Sequence, residues 1–131
     1  MKLGFSTIGC PEWDWAEILG TAKDMGIDGI EIRGVEDELD PMKIAIFDKE
    51  HLAKTRQQLA QAGIEIAMLA SSVTLGSPKG SEEGERQLQQ AKNQIDFAAE
   101  NGIPFAYTTP QGYDFMIQRL RTAEENVFPQ M

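Results

Sequence analysis

With 131 residues, 41% of them hydrophobic and 25% charged, the chain has enough apolar surface for one domain with a real core. A net charge of −9 argues against nucleic acid and anionic membranes as partners, and no apolar run approaches the roughly 20 residues of a membrane helix. The single cysteine, Cys10, has no second thiol for an internal disulfide, which points to a reducing, cytoplasmic setting.

In chain order, residues 2–6 read as a first strand, with Leu3 and Phe5 on one face and Gly4 and Ser6 on the other. Asp14-Trp15-Ala16-Glu17 has the spacing of a capping box, and Trp15, Ile18, Leu19 and Ala22 follow at helical intervals. Gly26 suits the left-handed position just past a helix. A second strand covers residues 29–33, where Ile30 and Ile32 alternate with Glu31 and Arg33, giving one apolar face and one charged face. Glu36, Asp37, Glu38 and Asp40 lack the alternating pattern and central glycine of a calcium loop and read as solvated. Residues 43–47 form a short alternating piece. Asp48 is placed to cap a second helix bearing Leu52, Leu59 and Ala62, with His51 as a surface residue on it. A third strand spans 64–70, and a polar loop runs from Ser71 to Ser81. The third helix extends from there to about Asn101 with Leu88, Ala91, Ile95 and Ala98 inward. A fourth strand over 104–108, a turn at Pro110-Gln111-Gly112 and an amphipathic helix over 113–125 complete the expected elements.

Helix end, Gly-Ile and strand occur three times, at Gly26-Ile27, Gly63-Ile64 and Gly102-Ile103, about 38 residues apart. That is the sequence form of a βα repeat, and parallel strands follow from it. The polar loops come after strands while the helix-to-strand turns are short, which places a site at the carboxyl ends of the strands. The expected fold is α/β: one domain over 1–131 with four βα units and a parallel sheet, half of a (β/α)8 TIM barrel. The competing fold, a doubly wound sheet of flavodoxin size, suits the length. It would carry an acidic pair or a Gly-rich phosphate turn after the first strand, and neither is present. A half-barrel exposes two strand edges and an apolar inner face, so a homodimer that completes the ring is expected.

In their succession, Lys2-Leu3-Gly4-Phe5-Ser6-Thr7-Ile8-Gly9-Cys10-Pro11, Gly29-Ile30-Glu31-Ile32-Arg33-Gly34 and Ala70-Ser71-Ser72 resemble a known group. It is the amino-terminal half of the xylose isomerase-like TIM barrels, the sugar phosphate isomerase/epimerase family that also includes type 2 apurinic endonucleases. The resemblance covers residues 1 to about 108. It implies aldose–ketose isomerisation or epimerisation by metal-assisted proton transfer, with a divalent ion (Mn, Zn, Mg or Co) held by Glu, Asp, His and Glu of strands five to eight. Those strands lie beyond the four found here, so no catalytic residue or metal ligand is assigned and no cofactor is expected in this chain alone. Members often place a histidine near the end of strand three. Here Ser71 and Ser72 stand at that end, and the only histidine is His51.

The first-half residues that carry over as substrate-binding are Glu31 and Arg33 at the end of strand two and Ser71 and Ser72 at the end of strand three. Glu31 and Arg33 share a face and can pair, presenting a guanidinium to a sugar hydroxyl or a carboxylate; a structural ion pair is the plainer alternative. Ser6 faces the same side, and Cys10 reads as a pocket wall, having no nearby histidine or second cysteine to activate it. The loop from Ser71 to Ser81, with Lys79, can cradle a phosphate at a helix start or serve as a plain connection. Trp13, Trp15 and Phe47 are wall or core aromatics. The expected partner is a small sugar or polyol. Two other readings stay open: a non-catalytic domain binding a polyol or anion or serving assembly, and an apurinic-endonuclease-type nuclease, which the charge of −9 opposes.

Overall fold

The computed structural model describes residues 1–107. Its elements are β1 (Gly4–Ser6), α1 (Trp15–Asp24), β2 (Gly29–Ile32), α2 (Leu52–Ala62), β3 (Glu65–Ala70), α3 (Glu82–Glu100) and β4 (Ala106–Tyr107). β1, β2 and β3 are one or two residues shorter than expected, a difference of fraying ends. Thr108, the turn after it and the helix expected over 113–125 lie outside the described residues.

The three strands after β1 are launched by the same device. Gly26, Gly63 and Gly102 have φ of 67°, 67° and 66°, a left-handed turn that a Cβ would penalise. The isoleucine after each glycine returns its N–H five residues back into the helix: Ile27 to the Ala22 carbonyl, Ile64 to Leu59 and Ile103 to Ala98, at 2.9, 3.1 and 2.8 Å. This is the Schellman arrangement, and its companion apolar contact is met because all three isoleucines are buried. The repeated Gly-Ile pair is thus a helix stop and a core anchor in two residues.

The four strands are parallel and lie in the order β1-β2-β3-β4. A doubly wound sheet reverses direction at a switch point, and this one does not. With right-handed crossovers, sequential order puts every helix on one face. On that face sit Ile30, Ile32 and Leu69, all fully buried, against Ile18 and Ala22 of α1. Burying each large aliphatic side chain contributes about 1.5–3 kcal/mol. Phe47 meets Phe97 of α3 edge-to-face, with ring centroids 5.1 Å apart. Trp15 of α1 donates its Nε1–H to Gln58 Oε1 of α2 at 3.0 Å.

The opposite, inner face differs from the apolar surface expected. It carries Gly4, Ser6, Gly29, Glu31, Glu65, Ala67 and Met68; all but Met68 are small or polar residues that tolerate water. Beside Glu31 the β2–β3 register slips: Ile30 faces Ile66 but Glu31 faces Met68, so Ala67 is an extra residue, a bulge.

The expected capping box is present, with Asp14 accepting from Glu17 N–H and Glu17 from Asp14 N–H at 2.8 and 2.9 Å. Trp15, Ile18, Leu19 and Ala22 are all buried. Residues 41–47 fold as two 3-10 turns, Pro41–Lys43 and Ala45–Phe47, because Asp40 caps the first and Ile44 and Phe47 both turn into the core. Asp48 closes the turn before α2: its Oδ1 accepts the N–H groups of Glu50 and His51 and contacts His51 Nδ1. The inner face of α3 is rotated from the expected one. Gln87, Gln94, Phe97 and Ala98 are buried, while Ile95 is 58% exposed.

Gly84 sits where α3 crosses its own leading loop, and a Cβ there would lie 2.1 Å from the Pro78 carbonyl oxygen. Alanine is the better helix former by about 1 kcal/mol, yet Gly84→Ala is expected to destabilise by about 1–3 kcal/mol through this clash. A urea titration against the parent chain checks it; a gain in stability would contradict the packing described.

Candidate functional site at the carboxyl ends of β1–β3

Ser6 and Glu31 are register partners on the inner face, and Ser6 Oγ donates to Glu31 Oε1 at 2.8 Å. The two residues are thus adjacent, with the carboxylate oriented by a hydroxyl. Arg33 follows β2 directly. Its backbone N–H donates to the fully buried Thr7 Oγ1 at 2.7 Å, so the ends of β1 and β2 are tied by a side chain. The Arg33 guanidinium is not among the ion pairs formed by the described residues, and its Nη1 is buried without a hydrogen-bond partner among them. Glu31 thus takes the Ser6 hydroxyl, and Arg33 Nη1 stands as a buried donor with no partner among the described residues.

Ser71 and Ser72 take anchoring positions beyond β3. Ser71 is buried, and its Oγ accepts the Val73 N–H at 2.9 Å. Ser72 Oγ accepts from Gln94 Nε2 of α3 at 3.2 Å. Gln94 itself is only 4% exposed, and its Oε1 has no partner among the described residues. Sequence reasoning passed over Gln94. The available signal was Gln87 and Gln94, seven residues apart and therefore on the face shared with Ala91 and Ala98.

The loops after β1 and β2 act as one piece. Glu36 and Asp37 hold φ of 51° and 63°, and Val35 and Glu38 exchange both backbone hydrogen bonds around them, the geometry of a tight two-residue hairpin. The tip docks on the first loop: Glu36 N–H donates to the Trp13 carbonyl and Asp37 N–H to that of Pro11, at 3.2 and 2.8 Å. Gly34 is required beneath it, since a Cβ would lie 2.9 Å from the Glu38 carbonyl oxygen. The acidic stretch is therefore a structural clasp. Its left-handed residues are better supplied by Asn and Gly, so Glu36→Asn with Asp37→Gly is expected to raise stability by about 1 kcal/mol, read as a higher denaturation midpoint.

Cys10 is buried beside Phe5, Trp13 and Met25 in a mostly apolar cleft of about 290 Å3, as a wall residue would be. Burial, and then the Glu17 carboxylate, push its thiol above the usual cysteine range. The thiolate is scarce at neutral pH, so iodoacetamide labelling of the native chain at pH 8 is expected to be slower than that of the urea-unfolded chain. Equal rates would contradict the environment described.

Other sequence candidates are placed elsewhere. The start of α3 is already satisfied: Ser81 Oγ accepts from Gly84 N–H, Glu85 from Gly80 N–H and Gln87 from Ser77 N–H. With Glu82, Glu83 and Glu85 in its first turn, this end repels phosphate. His51 is exposed and engaged with Asp48, whose carboxyl this contact holds below its ordinary range. Trp15 and Phe47 belong to the core. A cavity of about 370 Å3 lined by Phe47, Leu52, Arg56, Leu59, Ile66 and Pro104 lies at the opposite, amino-terminal end of the strands. Among the described residues, no three His, Cys, Asp or Glu side chains are grouped so as to hold a metal ion, and no helix is long and apolar enough to cross a membrane.

A family model described as xylose isomerase-like TIM barrel matches residues 19–129. Among solved structures, a xylose isomerase-like TIM barrel/4-hydroxyphenylpyruvate dioxygenase fusion protein is similar with a TM-score of 0.58 and 20% identity, over 86% of this chain and 17% of that one. A xylose isomerase-like TIM barrel protein from Mycobacterium smegmatis, in complex with magnesium, is similar with a TM-score of 0.56 and 19% identity, over 84% of this chain and 40% of that one. The chain thus spans less than half the length of either. At these identities the likeness is one of fold: the parallel sheet covers part of such a barrel. A search of curated proteins found no match.

Proposed function

The chain belongs to the xylose isomerase-like TIM barrel family, and from that premise we propose that it forms the substrate-holding part of a sugar or sugar-phosphate isomerase or epimerase. Ligands of such barrels sit at the carboxyl ends of the strands, where Ser6, Glu31 and Arg33 stand on adjacent strand ends. The observation that carries the reading is the buried Arg33 Nη1 without a partner among the described residues. An unsatisfied buried donor costs about 1–3 kcal/mol, and a phosphate or sugar hydroxyl is the partner that relieves it. Gln94 Oε1 presents the complementary need for a donor, which a hydroxyl or a bridging water meets.

Glu31, oriented by Ser6, is the carboxylate placed to accept a proton from a sugar hydroxyl or from the carbon beside a carbonyl. Ser71 and Ser72 hold the loop that walls the site. The family's divalent ion, which would polarise sugar oxygens, finds no suitable donor group among the described residues. The chemistry assigned to these strands is therefore binding, orientation and proton handling by their own side chains. A second reading, sugar or anion binding without turnover, rests on the same unpartnered Arg33 and Gln94 atoms. A cytoplasmic location accords with the lone thiol of Cys10.

Calorimetric titration of the full chain with sugar phosphates and polyols, with and without magnesium or manganese, tests the proposal. Saturable binding is expected. Arg33→Met should weaken it about tenfold or more without lowering the melting temperature, since no hydrogen bond of Nη1 is lost and an unsatisfied buried donor is removed. Absence of saturable binding would overturn both readings, and aldose–ketose turnover in the same samples separates isomerase from binder.

A further inference from the structure

We infer that the ligand of this site carries a single negative charge, the carboxylate of a sugar acid such as an aldonate or a uronate, in place of a neutral sugar or a phosphate dianion. This rests on the reading of these strand ends as a sugar site and names the group that Arg33 takes there. Arg33 is half-buried where β2 ends. Its backbone N–H is held by the fully buried Thr7 Oγ1 at 2.7 Å, so two strand ends set the root of the side chain. Beyond that root Nη1 is buried without a partner, and neither ion pair among the described residues includes the guanidinium. The carboxylate two residues before it, Glu31, receives the Ser6 hydroxyl. That hydroxyl is itself held in place, since Ser6 Oγ also accepts the Ile8 N–H at 3.2 Å.

A neutral hydroxyl would satisfy the hydrogen bond of Nη1 and leave the charge uncompensated. An anion supplies both, and charge-assisted bonds are roughly twice as strong as neutral ones. How much negative charge the site accepts is set by its surroundings. The loop after Arg33 carries Glu36, Asp37, Glu38 and Asp40, and α3 opens with three glutamates in its first turn. Over residues 4–13, 29–40 and 65–85, which form these strand ends and their loops, the cations are Arg33 and Lys79, and Lys79 is exposed. One half-buried guanidinium balances one negative charge. The second charge of a phosphate would add to a field that is already negative. The backbone donors that would offset it are spent, because the N–H groups of Gly84, Gly80 and Ser77 go to the side chains of Ser81, Glu85 and Gln87. A carboxylate needs no such cradle: it is planar, bears one charge and matches the guanidinium fork. The hydroxyls of the same molecule then remain for Glu31.

Calorimetric titrations of the full chain at neutral pH and fixed salt, with glucuronate, gluconate, glucose, glucitol and glucose 6-phosphate, test this charge preference. The two acids are expected to bind about tenfold or more tighter than their neutral counterparts, and tighter than the phosphate. Arg33→Gln keeps an N–H donor and removes the charge, so it should bring acid and neutral sugar to about equal affinity. Arg33→Lys keeps the charge and should keep the order of the ligands. The ligand series on the parent chain decides the question by itself if either variant fails to fold. A neutral sugar bound as tightly as its acid, a phosphate bound more tightly than both acids, or a preference that survives Arg33→Gln overturns the carboxylate assignment and leaves the sugar site standing. No saturable binding by any of these compounds overturns both.

Discussion

The structure depends on how each helix is stopped. A left-handed glycine ends the helix, and the following isoleucine bonds back over five residues while its side chain drops into the core. These two events fix both the direction of the next strand and the residue at which it starts. Once Ile27 is anchored, two-residue alternation sends Ile30 and Ile32 to the helices and Glu31 to the other face. The position of the candidate carboxylate is thus a consequence of a cap four residues earlier. A side chain at Gly26 would strain a left-handed backbone that has open space around it, so the constraint there is conformational and not one of room.

The carboxyl ends of the strands are organised by a different means. There the chain leaves regular structure, and side chains take over the task of satisfying the backbone. Thr7 accepts the Arg33 N–H, Ser71 that of Val73, and the Glu36–Asp37 turn gives its N–H groups to carbonyls of the preceding loop. Two left-handed non-glycine residues cost about 1–2 kcal/mol each, and paired backbone bonds on both sides of the turn hold them in place. Such over-determined strain is characteristic of segments that must keep a neighbour fixed. Here the neighbours are Pro11 and Trp13.

Elements with a strong local cause were legible in the sequence: the capping box at Asp14, the stripe of Trp15, Ile18, Leu19 and Ala22, the three Gly-Ile stops and the parallel order that follows from them. The Ser6–Glu31 neighbourhood was legible because alternation on two adjacent strands predicts a shared face. Local causes were misleading at residues 43–47, where alternation suggested extended chain and Asp40 capped a 3-10 turn instead. The Glu36–Asp37 turn could not be read, since its sequence lacks the Asn-Gly signature and its stability comes from another loop. Gln94 was hidden for a related reason. A polar residue on a buried helix face has no meaning until the hydroxyl it reaches, Ser72, is known to lie beneath it.

The expectation of an apolar inner face failed in an informative way. In these units the hydrophobic stabilisation comes from the layer between sheet and helices, where Ile18, Ala22, Ile30, Ile32 and Leu69 exclude water completely. Because the fold draws its cohesion from that layer, the opposite face need not be greasy to keep the sheet together. Glycine, serine, alanine and glutamate can occupy it and remain hydrated. The bulge at Ala67 is tolerated there as well, since it disturbs a face on which little packing depends. Separating the two faces in this way frees the inner surface from the packing that holds the sheet to its helices.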